Sequence, residues 1–337
     1  MIKKNFLKKK KILFLAPAFF GYELKIKFKM EQLGASVDYY DARSITSSYE
    51  KALLKISSSI FKNKTKKYYR KIINENKSKN YDYVFIVKCD MISADILNEM
   101  KSIFNSAKFC LYLWDSVKNI PGIVDKFQFF HKISSFDRED VKNYKNIQFR
   151  PLFYIDNFKR KDSISKNNIY KYDLSFCGTV HSDRYRIIQE IKNYSKKNSY
   201  HFFTFLYLQS KFIYWYYKLT KKEFISTTIK NFDFDKMNGK SISEIVNDSR
   251  VVLDIQHPKQ TGLTMRTIEM LGMEKKLITT NQDIVNYDFY KKNNILVIPR
   301  KEIKIPKEFL SEEYEPLSDD IYQKYSIEYW ILDILTE

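Results

Sequence analysis

Short, almost unbroken apolar runs recur along this chain, and stretches with helical periodicity separate them. Residues 11–16 (KILFLA), 36–41 (SVDYYD), 81–90 (YDYVFIVKCD), 107–116 (AKFCLYLWDS) and 130–137 (FHKISSFD) read as strands. Between them the pattern predicts a helix starting near Tyr22, with Leu24, Ile26, Phe28, Met30 and Leu33 as its apolar positions. A long basic helical stretch over 44–80, with room for a break at 57–59, a helix over 93–104 opened by Ser93, and a short helix over 119–127 follow. A strand covered on both faces is apolar at nearly every position, whereas a strand with one wet face alternates. Continuous apolar strands alternating with helices therefore predict βαβ units and a parallel sheet.

The pattern then starts again. Residues 172–191 (YDLSFCGTVHSDRYRIIQEI) read as a strand, a glycine turn and a helix whose N-cap is Ser182 or Asp183, and 250–255 and 275–281 read as two further buried strands. A capping box, Ser241 with Glu244 three residues on, opens a helix before the first of these. The intervening polar, basic stretch 157–171 reads as a linker. With 337 residues and 44% apolar content the chain can bury two cores, which predicts an N-terminal domain over 1–156 and a C-terminal domain over 172–337.

Composition narrows the partners. A formal net charge of +19 suits nucleic acid, an anionic membrane surface or phosphorylated substrates, but most of it is Lys spread evenly through the chain. Arg is scarce, so its positions inform more. Cys89, Cys110 and Cys177 are odd in number, widely spaced and set in apolar segments, which predicts free thiols in a reducing compartment. His131, His181, His201 and His257 show no metal-ligand spacing, so no metal site is expected. The basic start and short apolar run over 1–21 resemble a signal peptide, but an amphipathic stretch follows at once and a first strand is the better reading. No run reaches the roughly 18 apolar residues of a spanning helix, which gives a cytoplasmic protein, with the inner face of the cytoplasmic membrane as its place of contact.

Three strands of the first half end on a carboxylate: Asp90, Asp115 and Asp137. Ligands in open α/β sheets bind beyond the carboxyl ends of the strands, so these residues are expected to line one crevice. Helix capping competes with that reading and is preferred for Asp137, which precedes REDVKNY. Asp115, between a Trp and a Pro/Gly segment, is the candidate catalytic base.

In the second half, the strand running through Gly178 and Thr179 into a helix makes an anion site, because unpaired backbone N–H groups and the helix dipole point at the ligand. Arg184 and Arg186 fall in that helix's first turn, where cations are unfavourable without an anion. A surface bridge to Glu190 or Asp183 is the competing account for Arg186. Residues 256–262 (QHPKQTG) form a loop holding His257, Gln260, Thr261 and Gly262, and the helix after it carries Thr264, Arg266, Thr267 and Glu269. Gly and Thr suit phosphate oxygens, Arg supplies charge and a carboxylate suits ribose hydroxyls. A structural Arg266–Glu269 bridge would also explain that pair.

Residues 200–224 combine dense aromatics with Lys211, Lys218, Lys221 and Lys222. A buried strand and helix with lysines at the rim is preferred over a face that rests on a membrane or stacks on single-stranded nucleic acid.

Taken together, LAPAFFGYE, YLWDS, SFDREDV, PLFYID, DLSFCGTVHSDRY, TGLTMRTIEMLG and KKLITTNQDI resemble GT-B glycosyltransferases, in particular bacterial enzymes of capsule and lipopolysaccharide core assembly, and more distantly CgeB-like glycosyltransferases. The resemblance runs from about residue 11 to about residue 330. It implies an α/β fold of two Rossmann-like domains facing across a cleft, with a C-terminal helical segment. It also implies that Glu269 meets the ribose, that His181 and Arg184 meet the diphosphate, and that Gly21 with Tyr22 forms the loop near donor phosphates and acceptor. The chain departs from many retaining members, because Met273 and Glu274 do not restore an EX7E pair and His181 stands where a second base is usual. Both departures leave the stereochemical outcome open.

The reading is a nucleotide-sugar-dependent glycosyltransferase acting on a lipid-linked or growing surface glycan without metal or cofactor, in peripheral contact with a membrane and with no nucleic acid expected. Its rivals are a GT-B-like enzyme transferring another group and a basic nucleic-acid- or membrane-binding protein. The absence of any helix-turn-helix, RRM or zinc pattern weighs against nucleic acid.

Overall fold

The structure is a computed structural model that describes residues 6–43, 62–160, 170–258 and 260–336. Its contacts divide the chain into two units, Met1–Pro151 with Ile327–Glu337, and Leu152–Ser326. Of the expected elements, the first part of the 44–80 stretch and most of the 157–171 linker lie outside the described residues.

In the first unit, β1 (Lys11–Ala16), β2 (Ser36–Asp41), β3 (Tyr83–Val87), β4 (Lys108–Leu113), β5 (Lys132–Ser135) and β6 (Ile147–Phe149) form one parallel sheet. Its order is β2-β1-β3-β4-β5-β6. Helices α1 (Tyr22–Gln32), α2 (Lys62–Asn76), α3 (Ala94–Ile103) and α4 (Arg138–Asn143) connect the strands. Side chains alternate across a strand, so one face gathers Leu13, Leu15, Val84, Ile86, Leu111 and Leu113 against Tyr69 and Ile72 of α2 and Ile96, Leu97 and Met100 of α3. In the central strands β1, β3 and β4 both faces are buried, as their unbroken apolar runs require, while the edge strand β2 is half-exposed.

Two local expectations fail for identifiable reasons. On α1, Ile26, Met30 and Leu33 are buried, but Leu24 and Phe28 are exposed and Glu23 is buried instead. Residues 24, 26, 28 and 30 repeat every second position, and at about 100° per residue a helix places 24 and 28 on the side opposite 26 and 30. The Glu23 carboxylate accepts from the Phe19 N–H at 2.9 Å, which offsets its burial. The helix expected over 119–127 is two 3₁₀ turns, Val117–Asn119 and Val124–Phe129, because Pro121 and a left-handed Gly122 at φ 70° separate them.

In the second unit, β7 (Tyr172–Thr179), β8 (Phe202–Tyr207), β9 (Ser249–Asp254), β10 (Lys276–Thr279) and β11 (Ile295–Val297) form a second parallel sheet in the order β11-β10-β9-β7-β8. Between and after them lie α5 (Arg184–Lys197), α6 (Lys211–Thr220), α7 (Gly239–Asn247), α8 (Met265–Gly272), α9 (Lys307–Ser311) and α10 (Asp319–Lys324). The expected Ser241–Glu244 capping box does not form. The cap of α7 is Asn238, whose side chain accepts from the Ser241 N–H at 2.8 Å and so starts the helix earlier.

The chain's last helix, α11 (Ile327–Leu335), groups with the first unit rather than with the second half in which the sequence expectation placed it. Trp330, Ile331 and Ile334 have no exposed surface, and the Trp330 ring meets Tyr112 at 4.7 Å and Phe85 at 5.9 Å on the sheet face opposite α2 and α3. Lys132 donates to the Asp333 and Thr336 carbonyls at the negative end of the helix dipole, each at 2.5 Å. Residues 152–156, expected at the end of the first half, sit in the second unit, where Tyr154 donates its N–H to Tyr325 and its hydroxyl to the Tyr322 carbonyl.

Candidate functional site

Strands β7 and β9 are neighbours whose connections leave in opposite directions, β7 towards β8 and β9 towards β10. In an open parallel sheet, such a switch point parts the loops beyond the carboxyl ends and leaves a ligand crevice there. Most of the sequence-derived donor residues of the second unit fall at this edge.

Arg184 opens α5 and organises the edge. Its Nε donates to the Ile255 carbonyl at 2.8 Å, its Nη2 reaches the same oxygen, and its Nη1 donates to the Thr179 carbonyl at 2.6 Å. One guanidinium thus ties the end of β7 to the loop after β9. Burial lowers its pKa to about 10, and the neighbouring Arg266 and Arg300 push in the same direction while Asp254 opposes. Gly178 lies inside β7 and is not the expected turn. A Cβ there would stand 3.0 Å from Phe176 Cζ, so the glycine makes room for the Phe176 ring, while Arg184 Nη1 at 3.5 Å would be in ordinary contact. The turn itself is built by residues 180–183, with Ser182 left-handed at φ 49°.

His181 lies in that turn, its ring 5.4 Å from the His257 ring of the neighbouring loop and its Nδ1 3.1 Å from Ser182 Oγ. Burial, then the charges of Arg184, His257 and Lys221, push its pKa down to about 3. At neutral pH the imidazole is therefore uncharged, and it can donate or accept a hydrogen bond but brings no positive charge. Lys221 closes the turn by donating to the Ser182 carbonyl at 3.0 Å. Arg186 takes the competing reading: it bridges to Glu190, lies 3.7 Å from Asp183 and donates to the Arg300 carbonyl.

Beyond β9 the hydroxyls are already engaged. Asp254 Oδ2 accepts from Thr264 Oγ1 and from Thr267 Oγ1, both at 2.6 Å, while Thr264 also caps α8 by accepting from the Thr267 N–H. Arg266 Nη1 pairs with Glu269 Oε2 at 2.9 Å, and Glu269 is buried. Gln260 Nε2 donates to the Gly262 carbonyl at 3.0 Å, and Asn281 Nδ2 donates to the Thr261 carbonyl at 3.0 Å. These bonds fold the loop back onto the ends of β9 and β10. The second glycine of the segment, Gly272, serves packing: a Cβ on it would lie 2.3 Å from the Phe158 carbonyl oxygen and 2.5 Å from Tyr154 Cγ.

The sequence reading missed three contributors. Asp254 is the last residue of β9, so the strand-end signal read for Asp90, Asp115 and Asp137 applied to it as well. Arg300, a scarce Arg just after β11, grips both Asp183 oxygens at 2.8 and 3.0 Å and donates to the Gln256 carbonyl at 2.8 Å. Lys221, the third, reads in the sequence only as one of several rim lysines of the aromatic segment.

In the first unit, the switch point lies between β1 and β3. Gly21, left-handed at φ 80°, caps α1, and Tyr22 is buried with its ring 6.0 Å from Trp114. Beyond β3, Lys88 and Cys89 are both left-handed, at φ 75° and 57°, a costly arrangement for side-chain-bearing residues. It turns Lys88 Nζ to within 3.3 Å of Asp115 and 3.6 Å of Asp90. Asp115 Oδ1 also accepts from Ser116 N at 3.0 Å and Asn119 Nδ2 at 2.9 Å, and a third of the side chain stays exposed. Asp137 caps α4 by accepting from the Glu139 N–H at 3.0 Å, as expected of an Asp ahead of REDVKNY.

The three free cysteines do not approach one another as disulfides, and burial raises the Cys89 and Cys110 thiols to about 12 and Cys177 to about 11. No helix among the described residues is long and apolar enough to cross a membrane.

No protein-family model matches the chain, and no curated protein sequence does. Solved structures do. Anabaena HepE in complex with UDP-glucose aligns over 96% of this chain and 98% of its own, at 12% identity and a TM-score of 0.57. The UDP-GlcNAc 2-epimerase of Methanocaldococcus jannaschii aligns over 96% and 99%, at 10% identity and a TM-score of 0.52. The apo form of WaaB, a lipopolysaccharide outer core galactosyltransferase, aligns over 95% and 97%, at 11% identity and a TM-score of 0.50. At such identities the likeness establishes the fold. The chain has the α/β GT-B fold, with two Rossmann-like sheets.

Proposed function

We propose that this chain transfers a sugar from a nucleotide-sugar donor to a glycan acceptor of the bacterial surface, capsule or lipopolysaccharide. The observation that carries the reading is the edge of β7 and β9, where the His181 and His257 rings lie 5.4 Å apart over a loop fixed by Arg184. The fold likeness to a protein bound to UDP-glucose and to a lipopolysaccharide galactosyltransferase supports it.

In such a transfer the bond between the anomeric carbon and the diphosphate oxygen breaks, a bond to the acceptor oxygen forms, and the acceptor hydroxyl loses its proton. The departing diphosphate needs hydrogen-bond donors and positive charge. We assign these to His181, His257, Arg266 and the N-terminal backbone of α8, with the Gly178–Thr179 strand end, Gln260, Thr261 and Gly262 shaping the loop and Glu269 directed to the ribose. Arg184 is a positioning residue, because its donors are taken up by backbone carbonyls. Thr264 and Thr267 likewise act through Asp254. Asp115 is assigned the acceptor proton, with Lys88 Nζ 3.3 Å from the carboxylate to hold it in place. Gly21 and Tyr22 shape the loop beside it. The reaction needs no metal or cofactor in this reading, and a lipid-linked acceptor would bring the protein to the inner face of the cytoplasmic membrane.

A thermal-shift screen with UDP, GDP, ADP and CMP tests the donor half. Ligand at 100 times its Kd adds about 2.7 kcal/mol of apparent stability. Glu269→Gln should abolish that response while the unliganded chain still melts cooperatively; no response to any nucleotide overturns the proposal. Because the same fold carries an epimerase, products of a responding nucleotide sugar must be separated into transferred and epimerised sugar.

A further inference from the structure

Helix α6 (KFIYWYYKLT) places its largest apolar side chains outward. Phe212, Trp215, Tyr216 and Leu219 stand at i, i+3, i+4 and i+7, so they share one stripe of the helix, and they are 79%, 55%, 56% and 86% exposed. Ile225, just beyond the turn that follows, is 65% exposed. The sequence reading preferred a buried helix here, and only half of it is.

The opposite stripe anchors the helix firmly. Tyr214 is buried, donates its hydroxyl to the Thr227 carbonyl at 3.0 Å and packs against Phe232, while Ile213 and Tyr217 lie against the core of the unit. Ser210 caps the first turn by accepting from the Ile213 N–H. The exposed stripe is therefore held in place by a packed reverse side. Large apolar side chains left in water each forgo about 1.5–3 kcal/mol of burial, and a contiguous set marks a contact surface.

Charge decides which surface. No acidic residue occurs in α6, where Lys211 is exposed beside the stripe; the turn after it carries the exposed Lys222 and a single carboxylate, Glu223, while Lys218 and Lys221 reach back to the Thr227 and Ser182 carbonyls. A second copy of the chain would set this basic rim against itself. Single-stranded nucleic acid gains by stacking on flat rings, yet Leu219 and Ile225, two of the most exposed members, offer none. An anionic bilayer meets every element at once: acyl chains take Leu219, Ile225 and Phe212, the headgroup boundary takes Trp215 and Tyr216, and lipid phosphates take the lysines.

We infer that α6 and the turn after it form a wedge that seats the second unit on the surface of an anionic membrane without crossing it. The inference stands on α6 alone and holds whether or not the chain transfers a sugar.

Sedimentation of the full chain with sucrose-loaded vesicles, phosphatidylcholine alone or with phosphatidylglycerol, tests it. The chain should sediment with the anionic vesicles, and the Phe212→Ser, Trp215→Ser, Leu219→Ser triple variant should lose roughly tenfold or more of its partition at an unchanged melting temperature. The side chains are exposed, so the fold should tolerate these changes. A second readout needs no disruptive variant: brominated acyl chains should quench the parent but not Trp215→Phe. Equal partition of parent and triple variant, no partition of the parent, or sedimentation without Trp215 quenching overturns the inference. So does a stripe-dependent dimer, or stripe-dependent oligonucleotide binding, in place of lipid binding.

Discussion

Arg184 and Ile255, 71 positions apart in the chain, are joined by a 2.8 Å hydrogen bond from guanidinium to backbone carbonyl, and the same guanidinium holds the Thr179 carbonyl at 2.6 Å. A side chain expected to face a diphosphate is thus first a clamp between two loops. Lysine cannot replace it, because a single ammonium does not span both carbonyls in the planar geometry of the fork.

Arg184→Lys should therefore lower unfolding free energy by about 1–3 kcal/mol, the scale of losing hydrogen bonds from a charged donor. Urea denaturation measures it. Nucleotide affinity should fall along with stability, whereas Arg266→Lys, at a residue assigned to the ligand, should weaken affinity by the larger factor.

The His181 ring predicts an acid-sensitive fold. In the unfolded chain an imidazole takes up its proton near pH 6.5, but the folded site holds its pKa down to about 3. Between those values the unfolded chain binds one more proton, so stability falls as pH drops from about 6.5 towards 3. His181→Gln should flatten that limb of the stability profile. A nucleoside diphosphate bound beside the ring should raise its pKa, and calorimetry in two buffers of different ionisation enthalpy should then show proton uptake on binding near pH 5 to 6. An identical acid limb in the variant would contradict the assignment.

Gly272 should not accept a side chain. A Cβ 2.3 Å from the Phe158 carbonyl and 2.5 Å from the Tyr154 ring forces backbone to move. Gly272→Ala should cost about 1–3 kcal/mol, on the scale of overpacking a core. A melt unchanged from the parent would mean that Tyr154 and Phe158 are free to shift.

Asp115→Asn should remove transfer while nucleotide binding in the second unit persists, and Lys88→Met should reduce transfer through the same carboxylate. Transfer should persist in excess EDTA. Restoration of activity by added divalent cation alone would overturn the metal-free mechanism.

Much of this architecture was legible because strands covered on both faces must be apolar throughout. Strands β1 and β3, the start of α1 at Tyr22 and the first-turn placement of Arg184 and Arg186 all follow from local pattern. Where local pattern failed, the cause was geometry. Alternate residues 24, 26, 28 and 30 cannot share one helical face, and Asn238 outcompetes Ser241 as a cap because it precedes the turn. The return of α11 to the first unit was invisible because an apolar helix does not state which sheet it will cover.

The amino-acid order by itself set two parallel sheets, the loops that carry the scarce Arg and His residues, and a basic chain of alternating strands and helices. Tertiary structure alone decided how those charged and polar groups are used. Arg300 meets Asp183 across 117 positions, Arg184 meets carbonyls, Asp254 takes two threonine hydroxyls, and α6 turns its aromatic stripe outward. Periodicity reports which way a side chain faces within its own element, but hydrogen-bond partners and solvent exposure arise only when distant segments are packed against one another.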